Sequence, residues 1–477
     1  MSQERNTQAG EDAGPVDVVV MAAGKGTRMK SSLPKVLHRL AGRPLVTHVI
    51  DTALGLQPRR VVVVTGHGAH EVEETLNNAA PEGAPLAFVR QALQLGTGHA
   101  VQQAVPLLDD DGTTIVLSGD VPLIGQDTLA ALVRASAGRR LALLTIEFDD
   151  PTGYGRILRE GEGVQAIVEH KDATPEQRLV REVYSGMMAV PTRLLKPWLA
   201  RLDNKNAQGE YYLTDIVRLA TLDEVPVVAT RIDDTLQVAG VNDPAQLAAL
   251  ERAFQLRQAQ ALMAQGVRLA DPSRFDLRGT LACAADVEID INCVFEGAVS
   301  LGAGVHIGAH CVIANARIEA GAVIHPFTHI DGEKAGVTVG PAALVGPFAR
   351  LRPGARLGAE VHIGNFVEIK NATLANGAKA NHLAYIGDAS VGERVNYGAG
   401  SITANYDGAN KHRTVIGDDV HIGSNCVLVA PVTIGAGGTV GGGSTINKST
   451  EPGGLAVARA RQAYYPNWTR PVKKKPG

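Results

Sequence analysis

The chain has 477 residues, 45% of them hydrophobic and 20% charged, so it is long enough for more than one domain and apolar enough to fold. Its formal net charge of −3 gives no reason to expect nucleic acid or an acidic membrane surface as a partner. Its four cysteines form no CxxC pair, which argues against a redox motif or a zinc knuckle and fits a reducing cytoplasm.

Residues 1–15 are predicted to form a disordered extension. The first fourteen residues are polar and acidic and lack the basic-then-apolar pattern of a signal peptide. No apolar run along the chain is long enough to span a bilayer. The sequence therefore predicts a cytoplasmic protein that does not engage membranes.

Short apolar runs alternate with helical patterns in the first half of the chain. The runs 16–21, 61–64 and 114–117 are candidate buried strands, and a helical pattern covers 44–54. Alternation of strands and helices is typical of a parallel sheet covered by helices. The sequence thus predicts an α/β domain over residues 16–243.

A glycine-rich turn follows the first candidate strand directly. The stretch 22–29, AAGKGTRM, can bring backbone N–H groups close to a phosphate, and Lys25 and Arg28 add positive charge. It matches neither a Walker A loop nor the dinucleotide-binding glycine motif. Lys35 follows within a short loop and supplies another cation, so the turn is a candidate site for nucleotide phosphates.

Two further turns complete this candidate site. Gln91 and the turn 95–98, LGTG, offer amide and hydroxyl groups that can read the edge of a base. Asp120, in the stretch 118–122, follows a strand, where an α/β sheet places the residues that contact ligands. A carboxylate there suits Mg²⁺, which binds few protein oxygens together with phosphate.

The pattern changes after the α/β domain. Residues 244–265 begin with proline and continue with good helix formers, which predicts one linking helix. From 266 to 460 the apolar period is six, which is typical of a parallel β-helix with three short strands per coil. Residues 461–477 form a basic C-terminal tail.

The six-residue register identifies the side chains that should fill the β-helix. One aliphatic side chain per strand points inward, and small residues occupy the corners. The residues in this register are Val287, Cys293, Val299, Leu301, Val305, Ile307, Cys311, Ile313, Val339, Val345, Leu351, Leu357, Ile363, Ile369, Ile416, Ile422, Leu428, Ile434, Val440 and Ile446. The register breaks at about 325–337 and 400–415, where we expect protruding loops.

His382 is the candidate base of a second site. Transfer of an acyl group to an amine needs a group that accepts a proton, and imidazole titrates near neutral pH. Arg352 and Lys370 could bind a sugar phosphate, and Glu368 could orient the imidazole. Further side chains that could bind hydroxyl groups are Asn396, Asn405 and Tyr406.

Two sets of motifs resemble one known family. AAGKGTRM, LPKVL, QLGTGHA, GDVPL, PTGYGRI, VEHKDA and GVND, followed by the six-residue repeats, are similar to the bifunctional N-acetylglucosamine-1-phosphate uridyltransferase / glucosamine-1-phosphate acetyltransferase family of bacteria. The resemblance covers about residues 16–460. It implies an α/β fold in which a Rossmann-like, GT-A-like nucleotidyltransferase domain precedes a left-handed parallel β-helix of hexapeptide repeats.

The resemblance implies two reactions on one chain. The β-helix domain would acetylate glucosamine-1-phosphate with acetyl-CoA. The first domain would transfer uridylyl from UTP to the product, giving UDP-N-acetylglucosamine for peptidoglycan and lipopolysaccharide precursors, and pyrophosphate. Mg²⁺ is the implied cofactor, and a homotrimer is the implied assembly.

Carried over position by position, the resemblance implies the residues of the first site. It places nucleotide and sugar contacts at Met21, Ala22, Ala23, Gly24, Lys35, Gln91, Gly96, Thr97, Ser118, Gly119, Asp120, Gly155, Glu169, Tyr184 and Asn242. Asp120 and Asn242 would hold Mg²⁺. Two positions depart from the family, because Ser118 replaces a usual tyrosine and Tyr184 replaces an asparagine that touches the sugar. We therefore expect uridylyl transfer with a reshaped sugar pocket.

For the second site the resemblance implies His382 as the catalytic base. It places the contacts to glucosamine phosphate at Arg352, Lys370, Tyr385 and Asn396. It places the contacts to acetyl-CoA at Ala399, Asn405, Tyr406, Ser424, Gly442 and Arg459.

Three other functions fit parts of the sequence. A nucleotidyltransferase could use the β-helix only to oligomerise, in which case His382→Ala would leave every activity intact. A metal-dependent lyase of the γ-carbonic-anhydrase type uses histidines on the same kind of coil, but its paired-histidine spacing is not recognisable here. A trimeric scaffold without enzymatic activity leaves the glycine, lysine and aspartate motifs of the first half unexplained.

Overall fold

The computed structural model of the protein describes residues 14–161 and 163–473. The chain divides into two compact units, Met1–Phe254 and Gln255–Gly477. Most of the predicted N-terminal extension lies outside the described residues, as do the last four residues of the predicted tail.

A mixed sheet forms the centre of the first unit. The strands of this unit are β1 (Val16–Ala22), β2 (Arg39–Leu40), β3 (Arg43–Pro44), β4 (Arg60–Thr65), β5 (Leu86–Arg90), β6 (Thr113–Ser118), β7 (Leu141–Glu147), β8 (Arg156–Glu160), β9 (Gly163–Val168), β10 (Glu182–Pro191) and β11 (Val227–Ile232). The order across the sheet is β11-β7-β10-β6-β1-β4-β5, with β8 pairing β10 and β9 pairing β8. Neighbouring strands β1, β4, β5 and β6 are parallel, as the strand–helix alternation predicts.

Helices cover both faces of this sheet. They are α1 (Leu45–Leu54), α2 (Ala69–Ala79), α3 (Thr97–Ala104), α4 (Gln126–Ser136), α5 (Pro175–Arg178), α6 (Thr192–Ala200) and α7 (Asp215–Leu222). Val18 and Val20 of β1 share one core with Val49 of α1, whereas Val19 shares another with Leu195 of α6. Successive side chains of a strand point to opposite faces, so a strand covered on both sides is apolar throughout. The first unit is the predicted Rossmann-like arrangement.

A buried ion pair anchors the amino-terminal end of β1. The Asp17 side chain is fully buried and accepts hydrogen bonds from Arg59 Nε at 3.1 Å and Nη2 at 2.5 Å. Arg59 also donates to Asp111 Oδ1 at 2.8 Å. Hydrogen bonds to Asp17 and Asp111 raise the pKa of Arg59, so the guanidinium stays charged.

We expect Arg59→Leu to lower the free energy of unfolding by about 3–5 kcal/mol, because it leaves a buried carboxylate without a counter-charge. Arg43→Leu removes an exposed pair with Asp51 and should cost less than about 1 kcal/mol. Thermal unfolding, followed through the fluorescence of the buried Trp198, measures both changes. Equal losses in the two variants would contradict a stabilising role for the buried pair.

Short parallel strands build the second unit. They are β12 (Arg268–Leu269), β13 (Phe275–Cys283), β14 (Glu288–Ile289), β15 (Cys293–Leu301), β16 (His306–Ile307), β17 (Val312–Ile318), β18 (Val323–Ile324), β19 (His329–Asp331), β20 (Val337–Val339), β21 (Leu344–Val345), β22 (Arg350–Leu351), β23 (Arg356–Leu357), β24 (His362–Asn365), β25 (Glu368–Lys370), β26 (Thr373–Leu374), β27 (Lys379–His382), β28 (Tyr385–Gly387), β29 (Ala389–Val391), β30 (Asn396–Tyr397), β31 (Ile402–Ala404), β32 (Thr414–Ile416), β33 (His421–Ile422), β34 (Val427–Val429), β35 (Val432–Ile434), β36 (Thr439–Val440), β37 (Thr445–Ile446) and β38 (Leu455–Ala456). The helix α8 (Pro244–Ala264) precedes them, at the position predicted for the linking helix.

The strands of successive coils pair into three long faces. One face runs from β12 through β24, β27 and β30 to β38. The other two faces meet at β17, which pairs with both β19 and β20. Every residue of the predicted six-residue register is buried in one continuous core. The predicted hexapeptide β-helix is therefore confirmed.

The two predicted loops have different outcomes. Between β31 and β32 the chain does leave the coil, and a bridge joins Tyr406 to Lys411. The prediction of a loop over 325–337 is wrong in its extent, because β19 runs through this segment with Ile330 buried. The break in register is confined to the turn between β19 and β20.

The helices of the described residues are too short or too polar to cross a membrane. The longest of them, α8, carries charged and amide side chains along its length.

Candidate functional site

The carboxyl ends of β1 and β6 meet at a cavity of about 270 Å³. The predicted site residues in its wall are Met21, Ala22, Ala23, Gly24, Lys35, Gln91, Gly96, Thr97, Ser118 and Asp120. The wall also contains residues that the sequence did not single out, namely Val36, Gln94, Ala100 and Glu210. Met21 lies opposite Ser118 in the sheet, and the Gly119 N–H donates to the Met21 carbonyl at 2.9 Å. These contacts bring the two motifs to one edge of the sheet.

The turn 95–98, which is predicted to contact the base, packs against the segment that contains Tyr211 and Leu213. Gly96 has a φ of 113°, and a Cβ there would lie 2.6 Å from the Tyr211 carbonyl oxygen. Gln91 Nε2 donates to the Gly96 carbonyl at 3.0 Å, and Thr97 Oγ1 accepts from the Leu213 N–H at 3.0 Å. Only glycine fits such a backbone conformation and such a close approach. The turn is thus held in one position at the cavity wall.

Cations and side-chain oxygens converge near Lys35 and Asp120, at what we call the candidate phosphate end of this cavity. Lys35 Nζ contacts the Asp120 carboxylate and donates to Asn242 Oδ1 at 3.3 Å. Arg28 Nη2 donates to the same Asn242 oxygen at 2.8 Å. The Val241 N–H donates to the Asp120 carbonyl at 3.0 Å, which brings these distant parts of the chain together. The arrangement combines two positive charges with two oxygens suited to a hard cation.

The three residues predicted for the sugar lie together beside the cavity. The Tyr184 N–H donates to the Gly155 carbonyl at 2.9 Å, and a Cβ on Gly155 would lie 3.6 Å from the Glu169 carboxylate. Burial raises the pKa of Glu169, and burial together with the charge of Glu169 raises the pKa of Tyr184. The Tyr184 hydroxyl is buried and has no hydrogen-bond partner among the described residues. Burial and the charge of Asp120 raise the pKa of Tyr154.

In the second unit, Asn365 and four predicted site residues stack along one corner of the β-helix. We call this set the corner column, and its members are Asn365, His382, Ala399, Ser424 and Gly442. Backbone hydrogen bonds of 2.8–3.1 Å link the coils, from Leu383 to Asn365, from Asn425 to Ala399 and from Gly443 to Ser424. Arg459 Nη1 donates to the Gly442 carbonyl at 2.6 Å. The column therefore joins His382 to most of the residues predicted for acetyl-CoA.

The imidazole of His382 is exposed and contacts the preceding coil. Its Nδ1 lies 3.1 Å from Asn365 Oδ1, a contact that the sequence did not predict. The expected partner, Glu368, instead binds Arg352 Nη1 at 2.8 Å and lies 3.6 Å from Arg350. Glu368 belongs to β25, whose face differs from that of β27. Within one chain Glu368 thus pairs with arginines, and its predicted role in orienting the imidazole stays a prediction.

Three cations gather on the face next to this corner. The charge of Arg352, followed by burial and the nearby Lys411 ammonium, lowers the pKa of Lys370. Glu368 pairs with Arg352, and the charge of Asp388 acts on Lys370, so three cations face two carboxylates. An excess of positive charge favours an anion. Lys411 lies in the loop between β31 and β32, where the period of the coils carries no information. The cluster is a candidate phosphate site.

The remaining predicted residues divide between two faces. Asn405 Nδ2 lies 3.5 Å from Tyr385 Oη, and the Tyr406 hydroxyl donates to the Gly408 carbonyl at 2.6 Å. Tyr385 lies on β28, which pairs with the strand that carries Lys370. Asn396 belongs to β30 on the other face and lies opposite Lys379, so one chain does not bring Asn396 together with the cations.

Within residues 14–161 and 163–473, no three or more His, Cys, Asp or Glu side chains are grouped so as to hold a metal ion. The lyase alternative requires a group of this kind on the coils.

Comparison with known proteins assigns both units. The family described as MobA-like NTP transferase domain matches residues 18–206, and the family described as Bacterial transferase hexapeptide (six repeats) matches residues 413–448. The Bifunctional protein GlmU of Paracidovorax citrulli is 72% identical over 468 residues, which cover 96% of this chain and 98% of that protein. The Bifunctional protein GlmU of Albidiferax ferrireducens is 70% identical over 464 residues, covering 96% and 100%. The chain belongs to the GlmU family of bifunctional transferases.

Proposed function

We propose that residues 266–460 acetylate glucosamine-1-phosphate with acetyl-CoA. Residues 16–243 then transfer uridylyl from UTP to N-acetylglucosamine-1-phosphate, giving UDP-N-acetylglucosamine and pyrophosphate in the cytoplasm. One observation carries this proposal: a single chain holds two polar sites of different chemistry. The first combines cations with a carboxylate at a glycine turn, and the second combines an imidazole with a cluster of cations.

At the first site, uridylyl transfer depends on the positioning of the substrates and on electrostatic stabilisation of the phosphates. A phosphate oxygen of the sugar attacks the α-phosphorus of UTP in line, and pyrophosphate leaves from the opposite side. Lys35 and Arg28 lie where they can neutralise the charge on the phosphates, and the Gly96 turn can hold the base. No covalent bond to the protein is needed.

Mg²⁺ fits the residues at the phosphate end. Asp120 Oδ2 and Asn242 Oδ1 both contact one atom, Lys35 Nζ, so the two oxygens face a common point. Carboxylate and amide oxygens are the ligands that this hard cation prefers. Asp120 and Asn242 would hold the ion, which when bound compensates negative charge on the triphosphate.

Acetyl transfer at the second site uses general base catalysis. His382 accepts a proton from the amine as the nitrogen attacks the thioester carbon, and the C–S bond breaks to release CoA as its thiol. Arg352, Lys370 and Lys411 bind the sugar phosphate. The corner column beyond His382 carries the CoA moiety.

Two separate assays test the proposed function. Pyrophosphate should appear with UTP, Mg²⁺ and N-acetylglucosamine-1-phosphate alone, and free thiol with acetyl-CoA and glucosamine-1-phosphate alone. Omission of the sugar phosphate is the control in both assays. Pyrophosphate without free thiol would favour the single-activity alternative, in which the β-helix only oligomerises.

We propose further that the chain forms a homotrimer through the second unit. Four rings, which we call the aromatic ladder, stack on successive coils with centroids 4.9, 5.0 and 5.4 Å apart: His310, Phe327, Phe348 and Phe366. The phenyl residues are 48–57% exposed. All four have φ between 57° and 61°, a conformation that disfavours bulky residues. Burial of these four rings against a second copy of the chain would offset both the backbone strain and the exposure of apolar surface.

The aromatic ladder leads directly to the acetyl-transfer site. Leu383 continues it on the next coil with a φ of 49° and a side chain 62% exposed. Leu383 is adjacent in sequence to His382, so a copy that covers the ladder also borders the imidazole. Asn396 lies on a different face from Lys370, and a second copy can supply this residue to the site.

We expect Phe348→Glu to weaken self-association about thirtyfold or more, because it places a charge in the middle of the ladder. Leu179→Glu changes an apolar residue of the first unit that is more exposed than Phe348, and it should leave the assembly intact. Sedimentation over a range of protein concentrations measures the mass of each variant. An undiminished trimer in Phe348→Glu would remove the ladder from the interface.

A further inference from the structure

We propose that Asn365 is a positioning residue that fixes the tautomer of His382. Its side-chain oxygen accepts the Nδ1 proton, which leaves Nε2 as the nitrogen that takes a proton from the attacking amine. This inference rests on the proposed acetyl transfer at His382. It adds a residue that neither the motifs nor the resemblance assigns.

The backbone places Asn365 directly beside the imidazole. Asn365 ends β24 and lies opposite His382, the last residue of β27, in the parallel pairing of these strands. The Leu383 N–H donates to the Asn365 carbonyl at 3.1 Å, which fixes the register between the coils. The side-chain atoms Oδ1 of Asn365 and Nδ1 of His382 are 3.1 Å apart. The two side chains thus leave the same corner in the same direction.

The backbone that carries Asn365 is packed closely against the next coil. A Cβ on the preceding Gly364 would lie 1.9 Å from the Asn381 carbonyl oxygen, so the two coils are in close backbone contact there. On the coil before, the corresponding corner position is Pro347, whose side chain offers no hydrogen-bonding group. Along the column, His382 is the adjacent polar side chain.

An amide suits this task better than a carboxylate does. Neutral imidazole carries one proton, and an acceptor at Nδ1 keeps that proton away from Nε2. A carboxylate would do the same but would also favour the protonated ring, which cannot act as a base. An uncharged acceptor therefore selects the tautomer without adding a charge that favours the protonated ring.

Other titratable groups near the imidazole do not depend on Asn365. His362 begins β24, and burial, Lys379, His325 and His382 together lower its pKa. Lys379 begins β27 and faces His362 across the pairing. Substitution of Asn365 leaves all three of these neighbours in place, so a change in the pH profile can be assigned to the lost or altered acceptor.

Two variants of equal size separate tautomer selection from packing. Asn365→Leu keeps the volume but removes the acceptor, and we expect kcat for acetyl transfer to fall roughly 10- to 100-fold with KM for both substrates within about threefold of the wild type. Asn365→Asp keeps the acceptor and should retain most of kcat at high pH. The acid limb of its pH–rate profile should move to higher pH, because the carboxylate favours the protonated ring.

Sedimentation of the full-length protein at the mass of the wild type reports whether the β-helix of each variant folds, because the proposed trimer forms through that unit. Asn376→Leu is the matched control, since it removes another asparagine contact of the β-helix, from the Ala359 N–H to Oδ1 at 2.8 Å, at a different corner. It should leave both reactions unchanged.

Two results would overturn the inference. One is a kcat of Asn365→Leu within threefold of the wild type, and the other is an Asn365→Asp protein as slow as Asn365→Leu at every pH. Failure of the proposed function has a different signature, because His382→Ala would then remain as active as the wild type.

Discussion

Replacement of Asp120 by alanine is expected to lower pyrophosphate release about a thousandfold while acetyl transfer continues at its normal rate. Asp120 lines the nucleotide cavity, contacts Lys35 and shares that contact with Asn242. Its removal takes away one of two metal-suited oxygens and leaves the lysine ammonium without its partner. Losses of this size are typical when preorganised charge stabilisation is removed from a transition state.

The two activities of one preparation serve as each other's control for Asp120→Ala. Asp110→Ala, which removes an exposed carboxylate paired with Lys196, should change neither reaction. Pyrophosphate release and free-thiol release are measured on the same sample. Parallel loss of both activities in a folded Asp120→Ala protein would mean that the chain does not contain two independent sites.

Replacement of His382 by alanine is expected to have the opposite effect, with loss of acetyl transfer and retention of uridylyl transfer. Free-thiol release should fall about 10²- to 10⁴-fold, the usual contribution of a positioned general base, and uridylyl transfer should persist. The imidazole is exposed at the corner column, next to three cations that can hold the acceptor sugar. No other group of the column can accept a proton near neutral pH.

His306→Ala is the matched control for the second site. His306 is also an exposed coil histidine, with Nδ1 3.3 Å from Glu288, but it lies far from the corner column along the coils. Its substitution should leave free-thiol release unchanged. An equal loss in both histidine variants would show that the effect comes from the coil and not from base catalysis.

The fold was predictable because packing repeats along the chain. Each coil of the β-helix must bury one aliphatic side chain per strand, so residues such as Ile363 and Ile369 recur at a fixed interval. The exception is instructive. Ile330 keeps the interval of six from Ile324, yet the break in the pattern after it made the whole segment look like a loop. The register shift occupies only the turn that follows.

The candidate sites were predictable where their residues follow strands. Gly24 and Asp120 come directly after β1 and β6, and parallel neighbours bring such residues to one edge. Asn365 was missed for a physical reason. Its partner, His382, lies one full coil away in the sequence. The six-residue register identifies only the side chains that point inward, and it says nothing about side chains at the corners. Lys411 was missed because it lies in an irregular loop, and Glu210 because only tertiary contacts bring it to the cavity.

Isotope tracing of the nucleotide sugar tests the central claim most directly. The full-length protein is incubated with glucosamine-1-phosphate, acetyl-CoA labelled in its acetyl group, UTP and Mg²⁺, and the product is identified by mass. The account predicts UDP-N-acetylglucosamine that carries the label, with free thiol and pyrophosphate formed in equal amounts. A product without the label, or no nucleotide sugar at all, would contradict it.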